Sequence, residues 1–308
     1  MHKLKPINVA LNGRFSGVTQ PTGTQTVAFH LFDAIIRSPR EITITAFADT
    51  RFPGIEEWAT TPNTRVIHVP FRDWSRAKSQ LWEQFLFSSL AKKHGCHLLH
   101  YPITTCSRWF QSLPSIVTVH DLNFHTHPEW FATPFRLWMK YAAIPGIRRS
   151  TRIVTVSDYV LKEVQQHLSI PTEKLTRIYN GVKPFPPLSP TSTADTPPYL
   201  LCVGSLQPHK NLRRLIEAFF IAKKHQPDLQ LHIVGRPQKG FNDVIEKDAY
   251  RTQKDIHFLG YLDEETLART YQNARVFCYP SLEEGFGLPV LEAMAMHHRG
   301  HLQRLLPP

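Results

Sequence analysis

Short apolar runs rich in β-branched residues recur along the chain at 7–11, 42–47, 66–69, 98–101, 116–119, 153–156 and 175–178. Between them lie longer stretches whose apolar positions fall three and four apart. A run that is apolar at every position predicts a strand buried on both faces, and the 3.6-residue period predicts an amphipathic helix. Strands alternating with helices imply parallel sheets, because a parallel pair needs a crossover long enough to hold a helix. The rhythm breaks after Val182 at Lys-Pro-Phe-Pro-Pro-Leu-Ser-Pro, where proline removes ladder donors and stops helices. It resumes with strands at 199–203, 229–234, 256–259 and 276–279, and with helices at 211–225, near 242–251 and from about 263. The expected class is α/β. An N-terminal Rossmann-like domain spans 1–183, a Pro-rich linker 184–198, and a second domain 199–308. Two such domains face each other across a cleft, and open parallel sheets bind ligands at the carboxyl ends of their strands.

The 308 residues, 42% hydrophobic, suffice for two cores. The net charge of +11 is uneven, since residues 1–183 carry 22 Lys/Arg against 12 Asp/Glu and residues 184–308 carry 14 against 13. A basic half suits nucleic acid, an anionic membrane face or a phosphorylated substrate. No nucleic-acid motif is present, so no nucleic-acid partner is expected. No apolar run reaches the roughly 18 residues of a membrane span. The start, Met1-His-Lys-Leu-Lys-Pro-Ile-Asn, runs into a strand without a signal-peptide core. A cytoplasmic protein is expected, with peripheral contact at the inner membrane face through the basic first domain. The segment 71–94 mixes aromatic and basic residues at helical spacing; lying on a membrane is one reading. The preferred reading is that Leu81, Phe85, Leu86 and Leu90 pack this helix on its sheet.

The chemistry is densest at Ser281-Leu-Glu-Glu-Gly-Phe-Gly-Leu-Pro-Val-Leu-Glu292. Glu284 falls in a loop and Glu292 inside the following helix, with Gly285, Phe286, Gly287 and Leu288 between. Glycines let backbone approach a ligand closely, and the free N–H groups of a helix start suit a phosphate. Two carboxylates flanking such a site can accept hydrogen bonds from sugar and ribose hydroxyls. A spacing of two glutamates alone also fits a solvated acidic pair; the whole string is far more specific.

From Pro280 to Ala295 the chain resembles the signature of the family 4 retaining glycosyltransferases. The resemblance implies the GT-B fold and transfer of a hexosyl unit, mannose in the bacterial mannosyltransferase-like subgroup. The donor would be a GDP- or UDP-linked sugar and the acceptor a glycan or lipid-linked hydroxyl. It implies that Glu284 contacts donor-sugar hydroxyls, Glu292 the ribose, and the Gly287–Leu288 amides the pyrophosphate. Val203-Gly-Ser-Leu-Gln-Pro-His-Lys-Asn resembles a second family segment, giving Lys210 the pyrophosphate by position. Many relatives carry an arginine where this chain has Ser205, so one positive charge is either missing or supplied by a neighbour such as His209.

In the first domain His120 and Asp121 end a buried strand, at Ile116-Val-Thr-Val-His-Asp-Leu. With the following His-Pro-Glu-Trp-Phe, they resemble the same subgroup, in which the matching histidine lies beside donor sugar and acceptor. Neutral His120 would bond a hydroxyl, while Asp121 orients it or supports the turn. The loop 12–24 resembles the family's glycine loop, and Gly23, at the helix start, is the candidate for close approach. Seventeen histidines invite a metal site, but His97 and His100 sit on or beside a strand whose side chains alternate faces, and no Asp-x-Asp occurs. No metal or other cofactor is expected; the nucleotide sugar is a substrate.

After Ala295 the family pattern is lost in Met-His-His-Arg-Gly-His-Leu-Gln-Arg-Leu-Leu-Pro-Pro, whereas a one-base shift permits Val-Thr-Ser-Ser-Asp. The expectation is a frameshifted or truncated second domain, incomplete after about 295. Two competing function classes follow: a catalytically inactive remnant that at most binds nucleotide, and a GT-B phosphorylase or epimerase.

Overall fold

The computed structural model describes residues 6–39, 41–183, 185, 188, 197–236 and 253–296. The helix expected near 242–251, most of the linker and residues 297–308 lie outside the described residues. The chain divides into two compact units, one of Met1–Thr126 with Thr133–Asn180, the other of His127–Ala132 with Gly181–Pro308. The strap His127–Ala132, placed by sequence in the first domain, thus groups with the second.

In the first unit the strands are β1 Ile7–Gly13, β2 Ile42–Ala48, β3 Thr64–His68, β4 Leu98–Tyr101, β5 Ser115–Val119, β6 Arg152–Thr155 and β7 Leu175–Arg177. They form one parallel sheet in the order β3-β2-β1-β4-β5-β6-β7. The order reverses between β1 and β4, which makes their carboxyl ends a topological switch point. The helices are α1 Gly23–Arg37, α2 Ile55–Trp58, α3 Arg76–Phe85, α4 Phe87–Lys93, α5 Asn123–Thr126, α6 Thr133–Trp138, α7 Ile144–Arg149 and α8 Asp158–Leu168, with a π turn at Met139–Ala143 joining α6 to α7. α1 begins where Thr22 N–H and hydroxyl both donate to Gln25 Oε1, at 3.1 and 2.5 Å. Its Ala28, Phe32 and Ile36 then pack on Leu11, Ile44 and Ala46 of the sheet.

α3 is turned the other way from the sequence expectation. Leu81, Phe85 and Leu86 are exposed, Phe85 by 39% and Leu86 by 52%, whereas Trp82, Glu83 and Gln84 are buried. The physical reason is that polar bonds seat this helix. Gln84 donates from Nε2 to the Cys106 carbonyl at 2.9 Å and accepts from Arg108 N–H at 2.7 Å. Glu83 accepts from Asn12 and Arg14.

In the second unit β8 Tyr199–Val203, β9 Gln230–Val234, β10 Ile256–Gly260 and β11 Val276–Phe277 form a parallel sheet in the order β10-β9-β8-β11. Its switch point lies between β8 and β11. β8 alternates its burial as a strand must: Tyr199, Leu201 and Val203 face Tyr271, Phe277 and Ala293, while Cys202 faces Leu215, Ile216 and Phe219. Those last three belong to α9 Leu212–Lys223; α10 Glu264–Asn273 and α11 Leu288–Ala295 cover the opposite face.

Candidate functional site

Two loops leave the carboxyl ends of the adjacent strands β8 and β11, and both carry residues picked out from sequence. They are laced together: Leu282 N–H donates to the His209 carbonyl at 2.8 Å, and Asn211 Nδ2 donates to the Pro280 carbonyl at 3.1 Å. Asn211 takes a left-handed conformation, φ +54°, which asparagine tolerates, and so turns the chain from the 3₁₀ turn Pro208–Lys210 into α9. The turn aims Lys210 Nζ at Glu284 Oε1, to which it donates; the lysine side chain is 10% exposed and the glutamate 25%. The ammonium also lies 5.4 Å from the centre of the Tyr279 ring. Burial would push the Glu284 carboxyl up, but the Lys210 charge and hydrogen bond outweigh it and hold Glu284 below the usual carboxylate range. Glu284 is therefore a carboxylate at neutral pH. Gly235, φ +138°, closes the floor of this corner, since a Cβ there would sit 1.8 Å from the Gly204 carbonyl oxygen.

Gly287, φ +91°, caps α11 in a conformation that favours glycine, and Pro289 occupies the first turn. The Leu288 amide thus lies where a helix has no internal acceptor for its N–H groups, and where the dipole favours an anion. Glu292, farther along, accepts from the phenol of buried Tyr271 at 2.8 Å. Burial raises the Glu292 carboxyl above its ordinary value, against the opposing effect of that hydrogen bond. Gly285, Phe286 and Ser205 are half-buried in the two loops. The structure thus gathers Ser205, Lys210, Glu284, Gly285, Phe286, Gly287, Leu288 and Glu292 around one switch point.

His209 does not supply the second cation. It is buried, and burial, followed by the neighbouring Lys210 charge, lowers its pKa to about 4. Its ring packs 5.5 Å from that of Trp130, which stacks in turn on His127 at 4.1 Å. His127 Nε2 lies 3.0 Å from Glu283 and Nδ1 3.1 Å from Glu129. Burial pulls the His127 pKa down, but the two carboxylates outweigh it and raise it above the ordinary value. The sequence alone gives Tyr271 and Tyr279 no role, and the strap only its resemblance to the subgroup. The only sequence signal was the His-Pro-Glu-Trp run itself.

In the first unit, His120 leaves β5 with its Nε2 2.8 Å from the Pro102 carbonyl. A carbonyl only accepts, so Nε2 carries the hydrogen and Nδ1 is the acceptor; burial lowers the pKa and keeps the ring neutral. Asp121 Oδ1 accepts from Asn123 N–H at 3.1 Å, which supports the turn into α5. Gly23 is the first residue of α1. The charged residue of the preceding loop is Arg14. Its Nε donates to Glu83 Oε2 at 3.0 Å and its Nη2 to Thr105 at 2.7 Å, while Asn12 Nδ2 donates to the same Glu83 oxygen at 2.9 Å. Among the described residues, no group of three His, Cys, Asp or Glu side chains is arranged to hold a metal ion.

The family glycosyltransferase family 4 matches residues 21–184, more than half of the chain, and the family glycosyl transferases group 1 matches residues 189–297. Over 195 residues the chain is 28% identical to O-antigen chain mannosyltransferase B of Escherichia coli, covering 59% of this chain and 50% of that protein. The chain spans about half the length of the first curated relatives it matches. Among solved structures, sucrose-phosphate synthase from Thermosynechococcus elongatus superposes with a TM-score of 0.68 at 19% identity, covering 94% of this chain and 79% of that one. Anabaena HepE, solved with UDP-glucose, superposes with a TM-score of 0.60 at 15% identity, covering 94% and 78%. These likenesses carry the fold. With both units α/β on parallel sheets, and with its two segments matched in order, the chain has the GT-B fold and belongs to glycosyltransferase family 4.

Proposed function

We propose that the chain transfers a hexosyl unit, mannose first among the sugars to test, from a nucleotide diphosphate sugar to a hydroxyl of a glycan or lipid-linked acceptor, with retention of configuration. The observation that carries this reading is the Lys210–Glu284 pair at the β8/β11 switch point, beside the start of α11. An ammonium has three donors, so Lys210 can hold Glu284 and still meet a pyrophosphate oxygen. Together with the Leu288 amide it would stabilise the charge that develops as the nucleotide departs, with no metal required. Glu284, kept anionic, would accept from sugar hydroxyls and Glu292 from the ribose. In the first unit, His120 Nδ1 is the ring nitrogen left to accept from a hydroxyl, the role that the resemblance implies for it. The E. coli relative's name supports mannose; the UDP-glucose seen in HepE supports a nucleotide sugar without choosing the base. The basic first domain suits a phosphorylated lipid acceptor and peripheral attachment to a membrane. The test is isothermal titration with GDP, UDP and their sugars, followed by release of nucleoside diphosphate with and without lipid-linked glycans and NMR of the product's anomeric proton. Saturable binding of one nucleotide, abolished by Lys210→Met, is expected; no binding of either would overturn the reading.

A further inference from the structure

The inverted helix α3 has a consequence for the first unit's surface. Leu81 and Phe85, one turn apart, point outward, and Phe85 stacks on Trp109 with ring centres 5.5 Å apart and planes 13° apart. Phe110 joins them at 5.8 Å. Trp109 is 43% exposed and Phe110 55%, so this aromatic cluster is held together yet turned to solvent. Arg108 lies 5.3 Å from the Trp109 ring and donates to the Tyr141 carbonyl at 2.5 Å. That bond connects the cluster to exposed Tyr141 and to exposed Leu137 one turn earlier. A contiguous apolar patch on a domain surface marks an interaction site.

Charge selects the occupant. Three cations lie against these aromatic rings and their helix: Arg108 over Trp109, Lys140 5.5 Å from the centre of the Tyr141 ring, and Lys78, on the same stripe of α3 as Leu81 and Phe85, 4.6 Å from that of Trp74, while the acid of α3 is Glu83. Glu83 is buried and committed to Arg14 and Asn12. Outward aromatic and aliphatic side chains interleaved with cations match an anionic bilayer: rings enter the headgroup boundary, and cations pair with phosphates. The polar seat of the helix explains how Leu81 and Phe85 are spared from the core. We infer that the Leu81–Phe85–Trp109–Phe110 surface is the insertion face by which this protein docks on anionic lipid. The inference rests on the peripheral attachment proposed above and assigns it to specific side chains.

The test is co-sedimentation of the full chain with vesicles of phosphatidylcholine alone and of equal parts phosphatidylcholine and phosphatidylglycerol. Wild type should partition to the anionic vesicles and be released by salt. The triple variant Phe85→Ser, Trp109→Ser, Phe110→Ser should lose at least ~10-fold in partition coefficient, its fold checked by near-UV circular dichroism. Brominated lipid should quench the part of the wild-type fluorescence that is missing in Trp109→Phe, a readout independent of the triple variant's folding. If wild type binds neither vesicle, the peripheral reading fails and this inference with it. If wild type binds anionic vesicles and the folded triple variant binds equally, the membrane reading stands and this face is the wrong one. A wild-type dimer that the triple variant dissociates, with vesicle binding unchanged, would assign the face to a second copy and overturn the proposal.

Discussion

Tyr271 donates its phenolic hydrogen to Glu292 Oε2 at 2.8 Å, from the buried side of α10 to α11. The bond fixes the rotamer of the carboxylate proposed to receive the ribose. Hydrogen bonds to charged groups contribute about 1.5–3 kcal/mol. Tyr271→Phe keeps the packing of the ring and removes only the donor. Affinity for nucleoside diphosphate should fall about 10- to 100-fold by isothermal titration, with stability in urea lowered by about 1–2 kcal/mol. Unchanged affinity would detach Tyr271 from ligand binding.

The same carboxylate makes a second prediction, of opposite sign for stability. Burial raises the folded-state pKa of Glu292 above its ordinary 4.5, so the folded protein holds that proton more tightly than the unfolded chain. The benefit is complete below the unfolded value and is lost as pH rises through the folded one. At neutral pH the ionised group therefore costs stability. Glu292→Gln should leave the melting temperature equal or higher at pH 7, and the gain should vanish in acid, while nucleotide affinity falls. A lower melting temperature at pH 7 would contradict the assigned shift.

Strand positions and the donor loops were legible because each depends on local pattern. Apolar runs set β1 to β11 within a few residues, and Gly287 with Pro289 announced the start of α11. What sequence could not supply were bonds between distant segments. The seating of α3 depends on Arg14, Asn12 and Cys106, far along the chain, so hydrophobic spacing alone turned that helix the wrong way. The neutrality of His209 likewise follows from burial, which its neighbours in sequence do not reveal.

Lys210 and Glu284 form a testable couple. Lys210→Met would leave Glu284 buried without its cation, and burial would then raise the carboxyl toward protonation. Removing one partner of a buried pair costs about 3–5 kcal/mol; a quarter of Glu284 is exposed, so about 1–3 kcal/mol is expected here. Lys210→Met with Glu284→Gln should recover most of that stability in urea but no transfer activity. Wild-type Glu284, with its pKa depressed, contributes stability above the ordinary carboxylate value that is lost as pH falls through the folded one. Glu284's contribution to the acid limb of the stability curve should accordingly reverse in the Lys210→Met variant and be absent from the double variant, which has no carboxyl there to titrate. Additive losses in the two single variants would show that the pair is not coupled.

His127 and Glu283 place a titrating group in the strap beside the donor loop. Glu283 and Glu129 raise the folded-state pKa of His127 above 6.5, with Trp130 stacked on its ring. A raised histidine contributes its full stability below the unfolded value and loses it as pH rises through the folded one. His127 is about a third exposed, so the contribution is modest, about 0.5–1 kcal/mol. Glu283→Gln removes one of the two carboxylates, so NMR titration of the imidazole Cε1 proton should report a lower His127 pKa. Stability between pH 5 and 6 should fall in that variant and converge with wild type once both histidines are neutral, a window set by the unfolded value of about 6.5. An imidazole pKa that does not move on Glu283→Gln would show that the 3.0 Å contact carries no proton linkage.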